Sequence, residues 1–153
     1  MTTLTNVRLI DPEAGTDLVG AVRIEHGVIA EVTPGGMGDL AAVDCRGLCL
    51  APGIVDWGVK ECEPGERHTE RYRSAGDAAV AGGVTTIITR PDTDPPVDTP
   101  ETLAFVARRA AEDAAPRVAH MASLTKGRAG AEMTELGFLK DAGAVAFSDG
   151  DVV

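Results

Sequence analysis

Two patterns of apolar and polar positions divide this chain. Through residues 1–51, short β-branched runs at 6–10, 21–25 and 28–32 are broken by Gly, Pro and Asp, with a turn at His26-Gly27 and a loop at 34–36. That is the rhythm of antiparallel hairpins. A further short strand is predicted over 47–50. From residue 52 the rhythm changes to strands alternating with helices. Apolar strands are predicted at 54–59, 84–89, 118–122 and 144–147, and helices at 69–81, from 99 onwards and at 132–142. Gly82-Gly83 closes the first helix. Thr99-Pro100-Glu101 opens the second with a capping hydroxyl, a fixed φ and an acid in the first turn. Leu103, Val106, Ala107 and Ala110 then recur at spacings of three and four, on one helix face.

Four strands separated by three helices imply parallel βαβ units with right-handed crossovers. In such folds chemistry gathers in the loops that follow strands, here 60–68, 90–98, 123–129 and 148–151. The expected organisation is a β-rich part over 1–51 and an α/β part over 52–153.

Composition narrows the partners. The chain has 153 residues, 44% of them hydrophobic, enough for a globular core. Aromatics are 3%, so packing must rest on Ala, Val, Leu and Ile. A net charge of −10 speaks against nucleic acid and anionic membranes, because no basic patch is available to release counterions. No apolar run approaches the ~18 residues of a membrane span, and the first residues lack a signal-peptide pattern. Cys45, Cys49 and Cys62 are an odd number without a disulfide framework, which fits buried thiols and a cytoplasmic address.

Candidate chemistry sits in four segments. Residues 51–65 read Ala-Pro-Gly-Ile-Val-Asp-Trp-Gly-Val-Lys-Glu-Cys-Glu-Pro-Gly, and residues 90–96 read Arg-Pro-Asp-Thr-Asp-Pro-Pro. Leu124-Thr125-Lys126-Gly127 and 143–149, Gly-Ala-Val-Ala-Phe-Ser-Asp, follow. In order and spacing they resemble the dihydroorotase motifs P-G-x-x-D-x-H-x-H-x-R-x-P-G, M-P-N-T-N-P-P, I-T-K-G and G-A-V-A-F-S-D of the cyclic amidohydrolases. The resemblance implies an α/β fold: the N-terminal portion of a small β-sandwich, then the first half of a (β/α)8 barrel of amidohydrolase type, strands one to four. It also implies a zinc-dependent family, in which later barrel strands bring two more metal histidines and the general-base aspartate.

The resemblance places Gly58 and Lys60 on the two zinc histidines, Cys62 on the substrate arginine, Asp92 on the substrate asparagine and Asp149 on the metal-bridging acid. Gly150 replaces a second acid. Glycine has no donor atom, and a protonated lysine repels a divalent cation. Cysteine cannot form the bidentate pair of an arginine with a carboxylate, and ionised Asp92 and Asp94 can accept hydrogen bonds but not donate them. These are vestigial metal and substrate positions, with no catalytic residue and no bound cofactor expected. Strand alternation puts Asp56, Gly58 and Lys60 on one face and Trp57, Val59 and Glu61 on the other, so Lys60 is expected to fill the site through an ion pair. A rebuilt metal site would have to draw on Asp56, Glu61, Cys62, Glu63 and His68. His26 and His68 are expected at the surface, and His120 in a satisfied core. A nucleophilic Cys62 would need a lowered pKa, for which Lys60 is two residues away.

Three functions follow from these residues. The first is a catalytically silent dihydroorotase homologue of pyrimidine biosynthesis that serves as structural partner of aspartate transcarbamoylase. The second is an active metal-dependent cyclic amidohydrolase with a reorganised site, or one completed beyond residue 153. The third is a fragment with no role of its own. A half barrel leaves a sheet edge unpaired, so a partner chain, a second copy or the remainder of a longer polypeptide is expected against it.

Overall fold

Strands β1 (Thr2–Asp11), β2 (Thr16–Glu25) and β3 (Val28–Pro34) form an antiparallel meander, and two-residue strands β4 (Val43–Asp44) and β5 (Cys49–Leu50) pair parallel to β1. The computed structural model describes residues 1–36 and 41–152. The chain divides into two compact units, Met1–Pro52 and Gly53–Val153. The first unit is one mixed sheet of order β3-β2-β1-β4, with β5 also on β1. His26 (φ 50°) and Gly27 (φ 78°) make the β2–β3 turn, the two positive φ values that a tight hairpin matching strand twist requires. Val7, Leu9 and Val22 are the buried centre, with Leu18, Ile24 and Leu50 packed around them.

The first two strands begin earlier than the apolar runs, at Thr2 and Thr16. Threonine is β-branched and pairs across the ladder as valine does, so a run-of-apolar criterion undercounts it. A bulge at Asn6 (φ 51°) then resets the register between Leu4 and Val7.

The second unit alternates β6 (Ile54–Val59), α1 (Tyr72–Ala81), β7 (Val84–Thr89), α2 (Pro100–Asp113), β8 (Arg117–Ala122), α3 (Leu136–Asp141) and β9 (Ala146–Phe147). Its sheet is parallel, in the order β6-β7-β8-β9. Sequential neighbours joined by helices are what the first half of a (β/α)8 barrel requires. Tyr72, Val97, Leu103, Val106, Ala110, Ala122 and Leu139 form the buried core between helices and sheet. Ala107 is exposed, because it lies at the flank of the α2 stripe that Leu103, Val106 and Ala110 centre.

Three predicted boundaries differ. Helix α1 starts at Tyr72 and not at 69, because the Ser74 hydroxyl, not that of Thr69, accepts the Arg71 N–H (3.1 Å). Helix α3 starts at Leu136 and not at 132. Residues 132–134 instead run back along the loop after β8: the Lys126 N–H donates to the Glu132 carbonyl (2.8 Å) and the Thr134 N–H to the Leu124 carbonyl (3.0 Å). Strand β9 is shorter than 144–147, although the Val145 N–H still reaches the His120 carbonyl (3.0 Å). The start of α2 is as predicted. The Thr99 hydroxyl accepts from the Thr102 N–H (3.3 Å), so Thr99→Ala is expected to cost about 1 kcal/mol, read as a lower urea midpoint.

Candidate functional site

Strand β6 does not end as a regular strand. Trp57 pairs with Ile88 and Val59 with Thr89, so Gly58 is an extra residue in the ladder, a bulge with φ +86°. A side chain at Gly58 would start 4.0 Å from the Arg90 Cδ and nothing nearer, so the space left by the missing side chain faces Arg90.

Arg90 follows β7 directly, and its N–H donates to the Val59 carbonyl (2.9 Å). Its guanidinium is gripped from two sides. Nε donates to one Asp92 oxygen (3.2 Å) and a terminal nitrogen to the other. The terminal nitrogens also reach both Asp151 oxygens (3.0 and 2.9 Å). These hydrogen bonds, Asp92 first, raise the guanidinium pKa further. Burial pushes the Asp92 carboxyl upward, but Arg90 outweighs it and holds Asp92 below its ordinary value. Trp57, Gly58, Arg90, Met121, Phe147 and Asp151 thus line a cavity of about 360 Å³ at the carboxyl ends of the strands.

Lys60 does not form the expected ion pair: among the described residues it has no carboxylate partner, Asp56 included. The bulge at Gly58 breaks strict alternation and β6 stops at Val59, so Lys60 leaves the sheet. It borders a separate cavity of about 200 Å³ with Glu61, Cys62, Glu66, Asp92 and Asp94. Cys62 is buried, and burial, then Glu61, Glu66 and Glu70, push its thiol pKa up despite Lys60. That is the opposite of a nucleophile's requirement. Asp149 is turned to a structural task. Its carboxylate accepts from the Thr125 N–H (2.9 Å) and hydroxyl (2.7 Å), fastening the loop after β8 to the loop after β9. Burial opposes its ionisation, but those two bonds hold its pKa below the ordinary value.

His26 and His68 are exposed. His120 is buried on β8, where Nδ1 meets the Thr89 hydroxyl (2.8 Å) and the ring sits edge-on to Tyr72 at 6.1 Å. Its Nε2 has no partner among the described residues, so it is less satisfied than expected, and burial lowers its pKa to about 4.

The Dihydro-orotase-like family pattern matches residues 47–153. A dihydroorotase of Solibacter usitatus (strain Ellin6076) is 41% identical over 147 residues, 95% of this chain and 34% of that protein. The chain belongs to the dihydroorotase-like family. A dihydroorotase-like protein of Pseudomonas putida is 38% identical over 149 residues, covering 96% of this chain and 35% of its own length. The chain therefore spans about a third of the length of these relatives. Among solved structures, the L-hydantoinase of Arthrobacter aurescens superposes with a TM-score of 0.79 at 24% identity, over 95% of this chain and 32% of that one. That likeness carries the fold: a sheet unit followed by the start of a barrel.

The family's zinc does not fit the residues present. The residues that the resemblance sets at the two histidines of the first motif are Gly58, which has no donor, and Lys60, a cation, and a second cation, Arg90, lies beside Gly58. Among the described residues no three His, Cys, Asp or Glu side chains are placed to hold a metal ion, so Asp56, Glu61, Cys62, Glu63 and His68 do not combine into a rebuilt site. Residue types taken singly do not point to Arg90 and Asp151. The signal for Arg90 lay in the segment itself: the motif it resembles begins Met-Pro-Asn, whereas this chain reads Arg-Pro-Asp, with a positive and a negative charge together. No helix among the described residues is long and apolar enough to cross a membrane.

Proposed function

We propose that this dihydroorotase-like chain is a catalytically silent amidohydrolase homologue of pyrimidine biosynthesis, and that it acts as a structural partner of aspartate transcarbamoylase. One observation carries the silence. The cation at the strand mouth is the Arg90 guanidinium, and its hydrogen bonds go to the protein's own Asp92 and Asp151. A guanidinium so engaged neither activates water, as a metal does, nor remains free to pair with a substrate carboxylate. Beside it, at positions where the family has arginine and asparagine, ionised Asp92 and Asp94 offer an anionic substrate only acceptors, and the Cys62 thiol offers one weak, uncharged donor.

The partner role is supported by the sheet. Ile54, Val55 and Trp57 on β6 are 55, 55 and 61% exposed, and both β6 and β9 lie at sheet edges. Parallel sheets are stable when covered on both faces, so this surface calls for more protein against it. Aspartate transcarbamoylase is the occupant proposed here; a second copy of the chain and the remainder of a longer polypeptide are the competing ones.

The experiment mixes the purified chain with aspartate transcarbamoylase, follows sedimentation, and assays dihydroorotate hydrolysis and its reverse with added zinc. A mixed complex and no turnover above the uncatalysed rate are expected. Zinc-dependent turnover would establish the active amidohydrolase reading. Self-association without a mixed complex would replace the partner by a second copy.

A further inference from the structure

Two buried carboxylates stand side by side after β6 and are treated very differently. Glu61 and Glu63 are each 1% exposed. Glu63 meets two guanidiniums through one oxygen, from Arg67 (3.1 Å) and from Arg109 of α2 (3.0 Å). Glu61 meets none among the described residues. One of its oxygens accepts the neighbouring Cys62 N–H (3.1 Å), and the other, Oε2, is buried without a partner. That setting favours the neutral acid, because burial without a counter-charge penalises the ionised form.

The surroundings make this worse for an anion. From its own loop Glu61 has Glu63 and the Cys62 thiol, with Lys60 and Glu66 bearing on that thiol from the open side. From the segment before α1 it has Glu70, a like charge, and from α1 the buried Tyr72 hydroxyl. From α2, Arg109 is spent on Glu63, Glu112 and Asp113. From β8, His120 packs edge-on to the Tyr72 ring and is hydrogen-bonded to Thr89.

We propose that Glu61 is a proton-operated latch on the segment 60–72: carrying its proton it lets the segment close over the core, and on ionising it opens the segment. Burial first, with the Glu70 and Glu63 charges adding to it and the Cys62 and Glu63 N–H groups opposing, raises its pKa from 4.5 to about 7. The folded value lies above the unfolded one. Its contribution to closure is therefore complete below about pH 4.5 and is lost as pH rises to about 7. His120 has the opposite sign. Its pKa is lowered to about 4, so its contribution is present above 6.5 and is lost as pH falls. The two oppose one another in global unfolding, and a comparison that changes Glu61 alone separates them.

The test is amide hydrogen exchange of residues 60–72 in the full chain and in Glu61→Gln, corrected for intrinsic exchange. The wild-type to variant ratio of opening constants should grow about tenfold per pH unit between about pH 5 and 7, then level off. A ratio that stays constant across that range overturns the latch. The variant's folding is not required for the second readout, isotope-edited infrared of glutamate carboxyls in the wild type. A protonated carboxyl band that persists at pH 6 and disappears toward pH 8 is expected. A wild type with every glutamate already ionised at pH 6 overturns the proposal by itself.

Discussion

Arg90→Met is expected to destabilise the second unit by about 3 kcal/mol, the cost of removing one partner from a buried ion pair. The Asp92 side chain is 5% exposed and would lose its counter-charge, whereas that of Asp151 is 78% exposed and would be solvated at little cost. The effect is thus set by Asp92. It should be visible as a drop in the urea midpoint at pH 7, and Arg90→Met with Asp92→Asn should recover most of it. Acid reports the same pair. The folded pKa of Asp92 is held below 3.8, so its contribution is present above that value and is lost as pH falls through the depressed one. In Arg90→Met burial is opposed only by a backbone hydrogen bond and the more weakly acting Arg128, so the pKa of Asp92 rises relative to wild type. The gap between wild type and variant should then narrow as the pH approaches 4. A gap that is independent of pH would assign the cost to lost packing of the arginine stem.

Gly58→His is expected to lose about 2 kcal/mol and to gain no metal. A non-glycine residue in the left-handed region costs about 1–2 kcal/mol, and φ at Gly58 is +86°. Gly58→Ala should show that backbone part alone, since a Cβ meets only Arg90 Cδ at 4.0 Å. The imidazole must go further, into the volume the guanidinium fills, and so should cost more than alanine. Guanidinium chloride melts of the two variants measure the difference. If histidine proved no more costly than alanine, Arg90 would not occupy the side chain's place.

The regular parts of the fold were legible because their signals are local. Strand β6 spans the 54–59 run, β7 spans 84–89, and the Thr99-Pro100 start of α2 depends on one hydroxyl and one ring. What was not legible depends on contacts distant in sequence. Residues 132–134 have helical composition, yet they pair with 124–126 and delay α3 to Leu136. The Asp56–Lys60 pair was drawn from strict two-residue alternation, which the Gly58 bulge cancels. At the site, the absence of zinc donors at 58 and 60 could be read from residue types. The occupant could not, because Arg90 and Asp151 are 61 positions apart and meet only when β7 and β9 join one sheet.

The Arg90 guanidinium, held by Asp92 and Asp151, occupies the strand mouth. The most direct measurement is zinc content of the full chain after zinc loading and desalting, determined by elemental analysis beside Arg90→Met. Well under one zinc per chain is expected in both, because Gly58 and Lys60 supply no ligand even when the arginine is gone. One or two tightly held zinc ions per wild-type chain would contradict it.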